Sequence, residues 1–286
     1  MKRTLAIDIG GTKFAMAGFE DGQMVCRESQ GTNRGEGREW MLAQVVAIAK
    51  RWQTQRDFDR CGIGFGGPVH YGEQRVALST HVGGWRDFHL PAWLHEQLGI
   101  PAIMDNDANV GALGEAFYGA GRGYSSLMYL TLSTGIGGGI CLNGDIWRGA
   151  DSYAGEIGHV TVRPDGPECL CGARGCLERL CSGLWLERDY GKPAYELMED
   201  QDFMRRYAVD LALGLKTCIM LLNPSRIVLG GGISKSGADL LNPLRAELRR
   251  QITDWSSARI DVAIAELGDD SVLYGALRLA DELDNQ

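Results

Sequence analysis

One local pattern occurs twice in this chain: an apolar strand, one or two polar residues, a glycine cluster, a second apolar strand and a tight turn. The first copy is Leu5-Ala6-Ile7-Asp8-Ile9-Gly10-Gly11-Thr12-Lys13, continued by Phe14 to Phe19 and closed by Asp21-Gly22. The second is Leu130-Thr131-Leu132-Ser133-Thr134-Gly135-Ile136-Gly137-Gly138-Gly139, continued by Ile140-Cys141-Leu142 and closed by Asn143-Gly144. Asp-Gly and Asn-Gly between apolar runs mark two-residue hairpins, because both central positions need positive φ. Each copy therefore predicts a β-meander whose first hinge is glycine-rich. Glycine there lets the backbone approach a ligand, so that N–H groups and a hydroxyl surround phosphate oxygens. Two such hinges facing each other would grip one triphosphate.

The remaining pattern repeats around the meanders. Apolar periodicity from Glu39 to Trp52 predicts a helix, and Cys61 to Phe65 a short buried strand leading into Gly66-Gly67-Pro68. After the loop Thr80-His81-Val82-Gly83-Gly84-Trp85, Pro91 opens a second helix and Pro101 to Met104 reads as a strand. Asp105-Asn106-Asp107-Ala108-Asn109 closes that strand and opens a helix to about Tyr118. Beyond the second meander come an irregular stretch from Pro164 to Cys181, helices to about Leu222 and strand Arg226 to Leu229. Gly230-Gly231-Gly232 then lead into another helix, followed by strand Ile260 to Ala265 and a last helix from Val272 to Leu283. Meander, helix and strand recur in one order, which predicts two α/β lobes with a cleft able to close between them.

Composition excludes several classes of function. A net charge of −8 lacks the basic footprint of a nucleic-acid or anionic-membrane partner. No run approaches the ~20 apolar residues of a membrane span. Met1-Lys2-Arg3-Thr4 runs straight into a strand, so no signal peptide is expected and a cytoplasmic protein with reduced thiols is. The eight cysteines are then better read as metal ligands and core residues than as a disulfide framework. Cys169, Cys171 and Cys176 cluster where Gly172 and Gly175 let the chain wrap tightly, and His159 lies upstream. Three thiolates and an imidazole form a closed tetrahedral set suited to structural Zn²⁺, with Cys181 as an alternative ligand.

Four stretches carry a wider likeness: Asp8-Ile9-Gly10-Gly11-Thr12-Lys13; Asn106-Asp107-Ala108-Asn109; Gly155-Glu156-Ile157-Gly158-His159; and Cys169-Leu170-Cys171-Gly172-Ala173-Arg174-Gly175-Cys176-Leu177-Glu178. In that order the chain resembles the ROK family of sugar kinases, bacterial relatives of the actin and hexokinase fold, over essentially its whole length. The resemblance implies a duplicated actin-like (ribonuclease H-like) ATPase fold. The lobes expected are residues 1–105, completed by the C-terminal helix 272–286, and residues 106–271 with a zinc-binding segment at 159–181. It also implies Mg²⁺-dependent transfer of phosphate from ATP to the 6-hydroxyl of a hexose, glucose first, by a homo-oligomer (dimer or tetramer). Fructose, allose, N-acetylglucosamine and N-acetylmannosamine are the neighbouring substrates.

Phosphoryl transfer needs in-line placement, screening of phosphate charge and removal of the hydroxyl proton. An Asp opening an apolar helix is ordinarily an N-cap; the resemblance instead makes Asp107 the base that takes the sugar proton and Asn106 a ligand of a sugar hydroxyl. Asp105 is expected to serve structure. Asp8 is the candidate to hold Mg²⁺ through water, since a hard cation prefers oxygen, with turn formation as its competing role. Gly10, Gly11, Thr12 and Lys13 would lie nearest the terminal phosphates. The resemblance gives Ser133, Thr134, Gly135, Gly137 and Gly138 phosphate contacts from the opposite lobe, and sets Gly230, Gly231 and Gly232 against the adenosine. It favours His159, Cys169, Cys171 and Cys176 as the zinc ligands and leaves Cys181 in the core. The second ring nitrogen of His159, with Glu156 and Glu178, would then meet sugar hydroxyls.

Departures from the family pattern fall on the sugar side. His81, before Trp85, stands where many relatives carry Asn; Gly66 stands where Pro is common, and His70 where Asp is. Gly268-Asp269-Asp270-Ser271 is a loose match to the usual Asn-Asp-Ala. Two other classes compete with the kinase. A ROK transcription repressor needs a helix-turn-helix segment before the first hinge, where this chain already begins a strand. An actin-like ATPase could hold an iron–sulfur cluster on the cysteines.

Overall fold

The computed structural model describes residues 2–79, 82–258 and 260–285, so the sugar contact expected of His81 falls outside the described residues. Strand β1 (Arg3–Ile9) pairs antiparallel with β2 (Lys13–Glu20), and β2 with β3 (Gln23–Gly31). Asp21 and Gly22 turn the second hairpin at φ 46 and 82, the left-handed pair that such a turn requires. Helix α1 (Gly37–Gln53) returns the chain to β4 (Arg60–Phe65), parallel to β1. A small hairpin of β5 (Val69–His70) and β6 (Arg75–Val76), then α2 (Leu90–Leu98), lead to β7 (Ala102–Asn106), parallel to β4. The sheet order is β3-β2-β1-β4-β7.

Helix α3 (Asp107–Tyr118) carries the chain to a second sheet, where the plan repeats. Strands β8 (Ser126–Leu132), β9 (Ile136–Leu142) and β10 (Asp145–Ile146) form the second meander, turned at Asn143-Gly144 with φ 54 and 91. Four helices follow: α4 (Leu177–Cys181), α5 (Gly183–Tyr190), α6 (Ala194–Leu197) and α7 (Gln201–Leu222). Strand β11 (Arg226–Gly230), α8 (Ala238–Ile252), β12 (Val262–Ile264) and α9 (Ser271–Leu279) complete the order, and a 3₁₀ turn, Ala280–Asn285, ends the chain. The second order, β10-β9-β8-β11-β12, reproduces the first strand for strand, antiparallel and parallel pairings alike. The duplicated α/β architecture expected from the repeat is the architecture formed.

Alternation along the strands sorts side chains into three cores. Leu5, Ile7 and Ile9 of β1 pack outward against Met41 and Val45 of α1 and Leu90 and Leu94 of α2. Met128, Leu130 and Leu132 of β8 do the same against Leu211 and Leu215 of α7 and Leu244 of α8. The opposite faces, with Ala6, Ala15 and Ala17 on one sheet and Leu127 and Tyr129 on the other, share a central core with α3 and α9. Helix α9 covers β1 and β4, α3 covers β8 and β9, and the two helices lie against each other.

Small residues make that central layer possible. A Cβ on Gly114 would stand 2.0 Å from the Ser271 carbonyl oxygen, one on Gly275 1.7 Å from that of Val110, and one on Gly62 1.9 Å from that of Ala276. Backbone therefore touches backbone at three places. Fully buried Glu115 on α3 fastens the same junction. Its carboxylate accepts the N–H groups of Ala120 (2.8 Å), Glu266 (3.1 Å) and Leu267 (3.1 Å) and the Ser271 hydroxyl (2.7 Å).

Several boundaries differ from the sequence reading. Strand β7 continues through Asp105 and Asn106, because both remain in register with Gly64 and Phe65 of β4. The end of the cysteine stretch is helical, with Leu177 and Cys181 burying one face of α4. Gly230-Gly231-Gly232 open a 3₁₀ turn, Ile233–Ser236, and α8 starts only after Gly237, whose φ of 55 breaks the helical path. The last helix stops at Leu279 and tightens into the terminal turn. Gly275→Ala is expected to destabilise the protein by ~1–3 kcal/mol through overpacking. Chemical denaturation checks this, and an unchanged midpoint would mean that α3 and α9 do not meet through their backbones.

Candidate active site

The junction of β7 and α3 places the acidic residues. Asn106 caps α3: its Oδ1 accepts the Ala108 N–H at 2.9 Å, and its Nδ2 donates to the Gly67 carbonyl at 3.0 Å. The cap expected by ordinary helix rules at Asp107 thus belongs to its neighbour, and one Asn106 N–H is left over for a ligand. Asp105, wholly buried, accepts the Asn106 N–H (2.7 Å), Asn109 Nδ2 (3.0 Å) and Arg148 Nε (2.7 Å), which makes it the brace of this corner.

Asp107 is the first residue of α3, and its carboxylate and the first hinge both border Gly66. A Cβ built on Gly66 would stand 3.3 Å from Asp107 Oδ2, 3.1 Å from the Ile9 carbonyl oxygen and 3.4 Å from Gly10 Cα. Gly66 itself donates its N–H to Ile9 at 2.7 Å, a bond that proline at this position could not make. Burial raises the Asp107 carboxyl to about 7; the Glu156 charge adds to this, against hydrogen bonds from the backbone of Ala108 and of Asp107 itself. Asp8 is also raised to about 7, by burial first and by the Asp107 charge second, with Lys13 and Arg27 opposing. The Glu156 carboxyl is raised too, by loss of solvent and by Glu178, with His159 opposing. Asp8, Asp107, Glu156, Glu178 and His159 therefore form one electrostatically linked series.

The two glycine hinges meet at the same place. In the first, the Gly10 N–H donates to the Lys13 carbonyl at 3.0 Å. In the second, the carbonyls of Ser133 and Thr134 accept the N–H groups of Gly183 (2.8 Å) and Leu184 (3.1 Å) at the start of α5. The Thr12 and Thr134 hydroxyls stand 3.1 Å apart, so hinges distant in the chain are in contact. Gly135 lies beside Glu178, whose Oε2 accepts the Ile136 N–H at 2.9 Å.

Gly137 and Gly138 sit within β9, where a Cβ would meet Ala108 at 3.1 Å and the Gly155 carbonyl oxygen at 2.5 Å, so packing alone already requires glycine at Gly138. In the third loop, Gly230 would strike the Tyr129 hydroxyl, Gly231 (φ +83) would strike the Leu132 carbonyl, and Gly232 opens outward. Two sets of contacts were not anticipated from the sequence. Asp269 pairs with Lys13 (3.6 Å) and with Lys235 of the third loop (3.0 Å), and Arg34 reaches the first hinge from the loop after β3. The run Gly31-Thr32-Asn33-Arg34-Gly35, immediately after a strand, was the only hint of the second.

His159, Cys169, Cys171 and Cys176 bring one ligand atom each to within 4.8 Å of one another. The Sγ atoms of Cys171 and Cys176 are 3.6 Å apart. A disulfide needs ~2.05 Å, whereas a tetrahedron with ~2.3 Å metal–sulfur bonds has an edge of ~3.8 Å. The segment coils through Cys169 N–H to the Ala173 carbonyl (2.8 Å) and Gly172 N–H to the Cys169 carbonyl (2.9 Å), with Gly172 and Gly175 at φ 90 and 60. Burial pushes the Cys176 thiol up to about 12, and the adjoining sulfurs push the same way, so a thiolate at Cys176 needs a cation beside it. The donor set fits zinc. Cys181 is fully buried in the core behind it.

The sequence profile of the ROK family matches residues 4–283. The chain is 33% identical to a glucokinase of Halalkalibacterium halodurans, across 98% of this chain and 96% of that one. The chain belongs to the ROK family. Among solved structures, a ROK family glucokinase from Streptomyces griseus, in complex with glucose and AMPPNP, superposes with a TM-score of 0.86 at 29% identity, covering 98% and 99% of the two chains. A xylose repressor of Bacillus spizizenii is 28% identical over 77% of this chain and 61% of its own length. Kinases and regulators of the ROK family thus share this fold, and the chemistry must be argued from the site.

In this ROK protein Cys176 caps α4 and Glu178 is that helix's second residue, so the cysteine loop and the cleft carboxylate are one continuous piece of chain. Metal in the loop would thereby set the position of Glu178 and of His159. Replacing Cys171 with Ser is expected to release zinc and to lower the unfolding temperature together, since ligation energy is folding energy in such loops. Elemental analysis checks it; full zinc occupancy in the variant would remove Cys171 from the ligand set.

Proposed function

We propose that the protein is an ATP-dependent hexose kinase, glucokinase-like, which phosphorylates the 6-hydroxyl of glucose. The observation that carries this reading is that the Asp107 carboxylate and Gly10 of the first hinge both border Gly66, while the same hinge touches the second through Thr12 and Thr134. An alcohol held beside Asp107 is therefore held beside the place where a terminal phosphate would lie. Glucokinases matching this chain over nearly their full lengths support the same substrate class.

In this reading Asp107 accepts the proton of the sugar hydroxyl as its oxygen bonds to the γ-phosphorus and the bond to the β-phosphate oxygen breaks, releasing ADP. Asn106, Glu156, Glu178 and His159 hold the remaining hydroxyls; carboxylates suit this because each accepts two hydroxyl hydrogen bonds. The two hinges bind the phosphates by backbone N–H and hydroxyl groups, and Gly232 lies toward the nucleoside. Asp8, an oxygen donor beside the first hinge, would hold Mg²⁺ through water, and the ion would screen phosphate charge. Residues 1–105 with 272–286 form one moving lobe and 106–271 the other; their closure excludes water as a competing acceptor.

The base must be ionised to work, and its pKa is raised to about 7, so kcat/KM is expected to climb with pH through neutrality and to fall as Asp107 protonates below it. A flat profile across neutral pH would contradict the assignment. Asp107→Asn is expected to lower kcat by ~10²–10⁴-fold, the usual worth of a general base, with glucose still bound. A coupled ADP assay with glucose, fructose, allose, N-acetylglucosamine and N-acetylmannosamine tests the substrate. Turnover best with another sugar would correct the specificity, and none with any sugar would leave a sugar-binding regulator as the better reading.

A further inference from the structure

The loop after β3 does something to the first hinge that neither the hinge sequence nor the proposed chemistry assigns. Thr32 donates its N–H to the Thr12 carbonyl (2.8 Å) and its hydroxyl to the Gly10 carbonyl (3.0 Å). Arg34 donates Nε to the Gly11 carbonyl (2.7 Å) and Nη2 to the Thr12 hydroxyl (3.0 Å). Every carbonyl of Gly10-Gly11-Thr12 is thus drawn to one side by two residues. In a planar trans peptide the next N–H points the opposite way. The N–H groups of Gly11 and Thr12 are therefore turned off the strap, and neither has an acceptor among the described residues. The guanidinium only donates, so the Thr12 hydroxyl accepts from Arg34, while the Thr134 hydroxyl stands 3.1 Å away across the cleft.

We propose that Thr32 and Arg34 form a carbonyl strap that orients the first hinge for a nucleotide polyphosphate, with Arg34 as a positioning residue for phosphate binding. This rests on the kinase reading. Without the strap the hinge carbonyls are free to face the cleft, where their partial negative charge opposes phosphate oxygens. With it, the same six backbone atoms per peptide present donors only. Arg34 also leaves net positive charge beside the phosphates without having to touch them, and its exposed position lets it be replaced without opening the core.

The test compares ADP with adenosine, both measured by calorimetry with Mg²⁺ on the full chain and on Arg34→Met and Arg34→Lys. Arg34→Met is expected to bind ADP ~10-fold more weakly, the scale of a lost charge-assisted hydrogen bond, while adenosine binding stays unchanged. The KM for ATP should rise with that for glucose unaltered, and lysine, which keeps the charge without the planar fork, should recover only part of the loss. Wild-type ADP affinity in Arg34→Met overturns the strap, as does an equal loss of ADP and adenosine, which marks a general collapse of the cleft. If the wild-type chain binds adenosine but gains nothing from the phosphates of ADP, the kinase reading itself fails.

Discussion

Two helices touching through their backbones govern the rest of this molecule. Helices α3 and α9 lie so close that Gly114 and Gly275 admit no side chain, Gly62 of β4 admits none against α9, and Glu115 ties the crossing with four hydrogen bonds. Because α3 is pinned there, its first turn has one place to go. The Asn106 cap fixes that turn to Gly67, Asp105 braces it to Arg148, and the Asp107 carboxylate arrives at Gly66, which the first hinge also borders. Position of the acid is thus inherited from packing several turns away, which is the kind of support that keeps a reacting group within the narrow tolerance phosphoryl transfer needs.

Charge completes what packing begins. The cleft gathers Asp8, Asp107, Glu156 and Glu178, and burial, followed by neighbouring carboxylates, raises Asp8 and Asp107 to about 7 and lifts Glu156 above the usual carboxylate range. Such an arrangement is costly unless hydroxyl donors or a cation enter it. Lys13 and Lys235 are drawn to Asp269 at the rim rather than to the floor, so the carboxylates keep their free valence for ligands.

Much of this was legible in the sequence because it was local. The doubled meander announced itself through Asp21-Gly22 and Asn143-Gly144, where turn chemistry leaves little choice, and both sheets followed. The cysteine loop was equally readable, since its glycines and sulfurs lie within a few residues of each other. What escaped depends on partners distant in the chain. Nothing near Gly138 says that the Gly155 carbonyl will press on it, and nothing near Gly230 announces the Tyr129 hydroxyl. Asp107 was ambiguous between cap and catalyst because the two roles share a residue type at one helix position; that Asn106 takes the cap is visible only once β7 is seen to run to that residue. Arg34 was invisible for the same reason, as its meaning lies in the carbonyls of Gly11 and in Thr12.

Glu115 also determines where the molecule can bend. A buried carboxylate with four donors does not trade partners cheaply, so α3 and the Glu266–Ser271 segment are tied into one body at that knot. Asp107 lies eight residues up the same helix, a lever arm of about 12 Å. A tilt of about five degrees about such a fulcrum carries the carboxylate only ~1 Å, small enough to stay near a productive geometry. In the proposed lobe closure, such a fulcrum would let the rim open for ligands while Asp107 keeps its place.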